Sequence, residues 1–578
     1  MWSCTSVLLI WTLVVSAAPR GQEAGVVTEK NVAVPIRDGT VLRADIHRPD
    51  SGGPYPVLVT RTPYGKDKRF GPFVKAGYIV VAQDVRGRYA SQGSFESFVR
   101  FQTHDAEDGY DTVQWAARLP NSTGKVGTFG ASYNAFLQWR LAPLRPPALV
   151  AMAAQSIPAR HTDLEGPGTI RPGRRLQWWI STIGPDMLKR SGRAPSEAFL
   201  KLTAEPKREP WLSFLPWMEL PWEVFGPETE AVHYWLKNPH TDPWKLDAGC
   251  REITVPNFDA VGWYDHCNGD MLLYRTLAAE GKTETARQGS RLMIGPWGHN
   301  SRGRSRFGPI DFGREASQDL TALEIRWFDY WLKGKPNGVE QDAPVKIFVM
   351  GDNRWRDEPQ WPLSRAQKKV LFLAGSGHAN TPAGDGRLVE SAPDRQVTDH
   401  YLYDPRNPVP SLFKSFTAAT DQRPLAGRED ILVYQSEPLT ERVEVTGNPT
   451  VELYAASSAP DTDWFVRLID VAPDGLARDV SLGMVRARYR HGLEKPELLK
   501  PGEVVRYAIR MNPTSNAFLP GHRIRIDLSS SDFPNYDRNH NTAADQNADA
   551  ELTTARQTIY HGGSTAARIV LPWIPNQN

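Results

Sequence analysis

The sequence predicts an α/β fold: a mainly parallel sheet covered by helices on both faces, interrupted by a helical insertion and followed by a β-sandwich. Three observations carry this expectation. Over residues 26–155 short apolar runs alternate with helical periodicity, the pattern of strand and helix units in a parallel sheet. Over 156–247 strand alternation disappears and tryptophan-rich helical segments replace it. Beyond Trp361 helical periodicity fades into short β-rich runs separated by Pro, Gly and Asp. At 578 residues the chain is too long for one hydrophobic core. The expected division is a core built from 26–155 and 248–362, a helical cap over 156–247, and a C-terminal sandwich over 363–578.

Ahead of the core, residues 7–15 are apolar and Ser16, Ala17 and Ala18 supply small residues before Pro19. The run is too short to span a bilayer and reads as a secretory signal over 1–18, so the mature chain is expected outside the cytoplasm, secreted or periplasmic, with no membrane partner. An uncleaved anchor is the alternative. Within the core, 32–35 and 41–46 flank the turn signal Arg37-Asp38-Gly39-Thr40 and form a hairpin. Strands follow over 56–60, 78–83 and 125–129, with a helix over 106–118. The acids Asp105, Glu107 and Asp108 resemble a calcium loop, but no glycine stands at its sixth position, and acids suit the start of a helix.

The chemistry is concentrated at Lys125-Val126-Gly127-Thr128-Phe129-Gly130-Ala131-Ser132-Tyr133-Asn134. This reads as a strand, a sharp summit carrying Ser132, and a helix. A serine hydroxyl is a weak nucleophile until it is lifted clear of the backbone and brought within reach of a base, which such an elbow does. The strict Gly-x-Ser-x-Gly pattern is broken by Asn134. Downstream, a strand over 253–261 leads to Gly262-Trp263-Tyr264-Asp265, and a strand over 291–294 leads to Gly295-Pro296-Trp297-Gly298-His299. Serine, acid and histidine in that order, each just past a strand, is the arrangement an α/β-hydrolase sheet requires. Ser132, Asp265 and His299 are therefore the expected catalytic triad. His266 and Cys267 directly follow the acid and are expected at the pocket.

The chain also resembles the cocaine-esterase-like branch of the serine hydrolases, which includes the α-amino-acid ester hydrolases and the X-prolyl dipeptidyl peptidases. The resemblance rests on the segments around Ser132, Asp265 and His299, on Arg61-Thr62-Pro63-Tyr64, and on Gln83-Asp84-Val85-Arg86-Gly87-Arg88. It continues through Phe518-Leu519-Pro520-Gly521-His522-Arg523 and Asp532-Phe533-Pro534, nearly the whole mature chain. Where the family has glycine, position 135 is alanine. The resemblance implies that the sandwich is a jelly roll and that the Tyr64 hydroxyl is an oxyanion donor. The Tyr133 N–H, directly after the nucleophile, is the second donor. Family members selective for α-amino esters carry carboxylates near the triad acid. Here His266-Cys267-Asn268-Gly269 stands there, so a preference for uncharged acyl groups is expected.

Between the nucleophile helix and the acid strand, the insertion sits above the site by connectivity and forms a cap. Trp178, Trp179, Trp211, Trp217, Trp222, Trp235 and Trp244 lie in it, most of them as cap core. Trp178 and Trp179 are the pair expected to supply a face to the substrate. Basic and acidic residues nearly cancel, 68 against 66, which excludes a polyanion partner such as nucleic acid. Cys250 and Cys267 are expected as free thiols, because a strand over 253–261 would hold them about 30 Å apart, far beyond disulfide reach. No cysteine–histidine spacing points to zinc, and no metal or organic cofactor is expected. The expected partner is a small-molecule ester or amide, with oligomerisation left open. Two alternatives stay open: an X-prolyl dipeptidyl aminopeptidase or α-amino-acid ester hydrolase, and a non-catalytic protein whose jelly roll binds carbohydrate.

Overall fold

Strand β1 (Val26–Pro35) pairs antiparallel with β2 (Val41–Pro49) across a turn that Asp38 closes by accepting the Thr40 N–H. In this computed structural model, which describes residues 25–160, 173–203, 213–267, 269–412 and 419–576, that hairpin starts the sheet. The expected signal segment, Trp211 and Asn268 lie outside the described residues. β3 (Tyr55–Thr62), β4 (Ile79–Asp84), β5 (Ser122–Ala131) and β6 (Leu149–Gln155) continue the sheet in parallel, in the order β1-β2-β4-β3-β5-β6. β4 is buried along its whole length, which matches its Val-rich, non-alternating sequence.

The second half of the core adds β7 (Phe258–Gly262) and β8 (Arg291–Gly295), a short hairpin of β9 (Arg306–Phe307) and β10 (Ile310–Asp311), and then β11 (Val345–Val349) and β12 (Arg354–Glu358). Their sheet runs β12-β11-β8-β7. One side chain stitches the halves together. Asn257 accepts the Ala154 N–H at 2.8 Å and donates to the Ala154 carbonyl at 3.1 Å, while Met152 N–H bonds the Pro256 carbonyl. Here the expected strand over 253–261 is corrected. Cys250–Glu252 form a 3-10 turn and the strand begins only at Phe258, because Pro256 has no N–H to give and Asn257 spends its side chain on β6. Cys250 and Cys267 are both free and buried, so the thiol expectation holds although its strand argument fails.

Helices cover both faces. α1 (Gly71–Lys75) and the helix Leu320–Lys333 lie on one face, where Trp327 and Phe328 pack against Leu58, Phe129 and Ala151. Asp319 caps that helix and Gly334, at φ 67°, ends it. α2 (Asp105–Ala117) and α3 (Tyr133–Leu141) cover the other. The acids over 105–108 occupy the first turn of α2, where the helix dipole favours them.

Among the described residues of the insertion there are helices and no strand, including Gly173–Trp178, a π-helical turn Trp179–Ile183, Gly184–Ser191 and Thr229–Lys237. The C-terminal region is a mainly antiparallel β-sandwich whose strands run from Gln367–Ala374 to Arg568–Ile574, around a core that includes Leu453, Trp464, Val466, Tyr507 and Ile569. It is joined to the hydrolase sheet by backbone pairing: Met350 N–H bonds Ser515 O, and Ala517 N–H bonds Met350 O. No described helix is long and apolar enough to cross a membrane.

Candidate active site

Ser132 stands at the end of β5 with φ 61° and ψ −129°, a conformation that costs a non-glycine residue strain and recurs at functional positions. Its N–H is held by Gln155 O, and its carbonyl accepts from Ala135 and Phe136 at the start of α3. Gly130, at φ 131°, allows the bend: a Cβ there would lie 2.7 Å from the Asn134 Cβ. The asparagine in place of the motif's glycine is accommodated by that empty space, and its Nδ2 donates to Thr60 Oγ1 at 3.2 Å.

Tyr64 faces the serine from the loop after β3. Trp178 Nε1–H donates to the Tyr64 hydroxyl at 3.3 Å, and Ser132 and Tyr133 line the same cavity as Tyr64. Indole is a donor only, so the phenol's own proton stays available for another acceptor. Burial raises the Tyr64 phenol above its ordinary range, against the lowering effect of Ser132 and Trp178, and it stays protonated at neutral pH. The loop is fixed by Arg88, which is wholly buried and donates to Pro63 O, Ile183 O and Thr182 O. The last arginine of the 83–88 motif thus ties the tyrosine loop to the π-turn of the cap. Arg61 adds bonds to Gln83 and to Asp105 O.

His299 Nδ1 lies 3.0 Å from Asp265 Oδ1 and 3.2 Å from Oδ2, and the Cys267 N–H also donates to Oδ1 at 2.7 Å. Burial alone would raise the Asp265 carboxyl, but the His299 charge and hydrogen bond and the Cys267 amide outweigh it and hold the group below the usual carboxylate range. Two turns bring acid and histidine together. Trp263 N–H bonds Gly295 O and Tyr264 N–H bonds Trp297 O, and a Cβ at Gly262 would sit 1.9 Å from that Trp297 oxygen. The glycine is there for the close approach.

The acid loop is also held from the sandwich. Tyr264 OH donates to Asp479 O at 2.8 Å and accepts from Arg478 at 3.2 Å. Arg478 in turn donates to Asp470 and Asn516, and His522 Nδ1 lies 2.7 Å from Asp470. The sequence motif over 518–523 ends in this network. Next to it, Asp532 accepts from Arg467 within the sandwich, Phe533 packs against the cluster that holds the cap core, and Asn535 O accepts the N–H of Gly173, first residue of the helix that carries Trp178. Beneath the acid loop, Asp259 and Asp270 are buried next to each other. Burial raises both carboxyls; the Asp259 charge raises Asp270 further, while the Arg302 charge opposes the rise at both and a hydrogen bond with Asp270 opposes it at Asp259.

Ser132, Tyr64, Tyr133, Trp178, His266, Cys267 and His299 all border one cavity of about 450 Å³, with Asp265 behind His299. Trp179 does not reach it and its expectation is corrected. The π-turn begins at Trp179 and sends its ring into the cap core, fully buried against Phe98 and Phe225, while Trp178 stacks on Tyr133. Phe98, Phe136, Arg175, Trp244 and Asn300 also line the cavity and were not singled out from sequence. Trp244 carried a signal only as one of many cap tryptophans. Phe98 lies in an irregular stretch with no periodicity to mark it.

The sheet order, the strained serine after β5 and the acid and histidine after β7 and β8 are those of an α/β-hydrolase, and the class this defines is a serine hydrolase. A family model described as X-Pro dipeptidyl-peptidase (S15 family) matches residues 38–301, and one for the X-Pro dipeptidyl-peptidase C-terminal non-catalytic domain matches 337–570. The chain is 37% identical over 582 residues to the cocaine esterase of Rhodococcus sp. (strain MB1 Bresler), which covers 94% of this chain and 98% of that one. It therefore belongs to the S15 family and is a serine hydrolase related to cocaine esterase. Two solved structures share its fold: an aminopeptidase from the marine sediment archaeon Thaumarchaeota archaeon and an α-amino acid ester hydrolase. Each has a TM-score of 0.73 at 24% identity, over 97% of this chain and 99% of the other.

Proposed function

We propose that the chain is an exported carboxylesterase working through an acyl-enzyme on Ser132. Ser132 Oγ attacks the acyl carbon and its proton passes to His299, whose imidazolium is oriented and stabilised by Asp265. The oxyanion accepts hydrogen bonds from the Tyr64 O–H and the Tyr133 N–H. His299 returns the proton to the leaving alcohol, then takes one from water, which releases the acid. The observation that carries this reading is the single cavity bordered by Ser132, Tyr64 and His299, with His299 hydrogen-bonded to Asp265 at 3.0 Å.

The acyl group is proposed to be uncharged and preferentially aromatic. Trp178, Phe98, Phe136 and Trp244 supply apolar wall, and among the described residues no Asp or Glu lines the cavity to receive an ammonium. An α-amine would lose its water without gaining a partner, which is costly. Export rests on the apolar segment over 7–15 alone. A fluorophosphonate probe should label Ser132, as peptide mapping would read, and a phenylacetyl ester should show a higher kcat/KM than its α-amino analogue. Absence of Ser132 labelling would overturn the mechanism, and preference for the amine would return the X-prolyl or amino-ester alternative.

A further inference from the structure

Asp265, His266, Cys267 and His299 each offer one metal-ligating atom, and the four atoms lie within 4.8 Å of one another. Nothing in their sequence spacing resembles a zinc motif. The fold gathers them: one turn after β7 supplies three contiguous residues, and the loop after β8 lays His299 beside them. The His266 and His299 rings are 4.6 Å apart between centroids, and His266 Nδ1 is 3.8 Å from Asp265 Oδ1. His266, Cys267 and His299 open onto the 450 Å³ cavity, so an ion that enters it meets all three. Two imidazoles, a thiol and a carboxylate form a borderline-soft donor set, suited to Zn²⁺, Co²⁺ or Cd²⁺ and unsuited to Mg²⁺ or Ca²⁺.

We propose that this cluster is an inhibitory binding site for a borderline-soft divalent cation, with Cys267, His266 and His299 as ligands and Asp265 completing the set. In a tetrahedral zinc site the ligand atoms stand roughly 3.3–3.8 Å apart, from metal–sulfur and metal–nitrogen bonds of about 2.3 and 2.0 Å. The side chains therefore close by about an ångström on binding, and affinity falls short of a rigid structural site. Binding forms a metal–sulfur bond and breaks the Cys267 S–H bond, whose proton leaves to solvent. No electron is transferred. While it holds the ion, His299 cannot keep its Asp265 bond and also take the Ser132 proton. The loss of hydrolysis rests on the proposed triad; the metal binding does not.

The test uses the purified full chain, stripped with a chelator and titrated with Co²⁺ and then Zn²⁺. Co²⁺ should saturate at one equivalent, with a near-ultraviolet thiolate-to-cobalt band and the visible bands of a four-coordinate ion. Zn²⁺ should displace it, lower hydrolysis of a neutral aryl ester at least tenfold, block fluorophosphonate labelling of Ser132, and be reversed by the chelator. Cys267→Ser should abolish the thiolate band, and both it and His266→Gln, checked for native melting, should weaken Zn²⁺ binding at least tenfold. Absence of one-equivalent Co²⁺ binding, a cobalt spectrum without the thiolate band, Zn²⁺ binding that leaves hydrolysis and labelling intact, or wild-type Zn²⁺ affinity in both variants would overturn the site. If the chain hydrolyses no ester, the functional reading fails, and the cobalt spectrum and its dependence on Cys267 still decide the site.

Discussion

Ser132 borders the cavity and Asp265 stands behind His299 at the same site, and the two are held in place by different means. The serine is presented by its own neighbours, through Gly130, the strained backbone at 132 and the first turn of α3. The acid is followed from behind by another domain: Tyr264, one residue before it, bonds to Asp479, 215 positions further along the chain. A nucleophile that depends on local backbone geometry needs only the elbow to fold. An acid whose loop is braced by the sandwich needs both domains to dock, so the C-terminal region takes part in shaping the site although it lends no reacting atom.

The largest expected effect separates chemistry from folding on the serine side. Ser132→Ala should lower kcat by about a thousandfold or more while the melting temperature stays near that of the wild type, since the summit side chain contributes little packing. Steady-state kinetics beside calorimetry read both, and retained activity would remove Ser132 from the mechanism. Next is Tyr64→Phe, on the same side. Losing one oxyanion donor costs about 3 kcal/mol in the transition state, so kcat should fall on the order of a hundredfold with KM nearly unchanged. A wild-type kcat would return Tyr64 to packing against Trp178.

The comparison itself is tested by Tyr264→Phe, which removes the bonds to Asp479 O and Arg478 without touching a reacting group. Stability should drop by about 1–3 kcal/mol. If the sandwich positions the acid, kcat should also fall several-fold with KM unchanged. A loss of stability with kcat intact would mean that the acid loop orients itself.

The smallest effect concerns pH. Asp259 and Asp270 are held protonated by burial, so the folded protein keeps a proton that the unfolded chain has already released above about pH 4. The unfolded state then binds fewer protons, and stability declines as pH rises from there through neutrality. Asp259→Asn removes the Asp259 part of that linkage, and its melting temperature should fall less than that of the wild type between about pH 5 and pH 8. Parallel melting curves would show that the pair does not govern the alkaline slope.

The sequence by itself determined the α/β class, the elbow, and the order of serine, acid and histidine, because each depends on short-range rules: strand alternation, a glycine that permits a bend, a polar residue just past a strand. The same rules placed the helix over 106–118 and the turn at 37–40. They failed where a neighbour distant in the chain decides. The strand expected from 253 begins at Phe258 because Asn257 bonds β6. Trp178 meets Tyr64 while Trp179 turns into the cap, since a π-turn held by Arg88 begins between them. The link from His522 through Asp470 and Arg478 to Tyr264, and the meeting of Cys267 with two histidines, exist only once the loops and the sandwich have docked. Local periodicity reports what a segment can form; which side chains then face one another is set by packing between segments, and only the tertiary structure carries that.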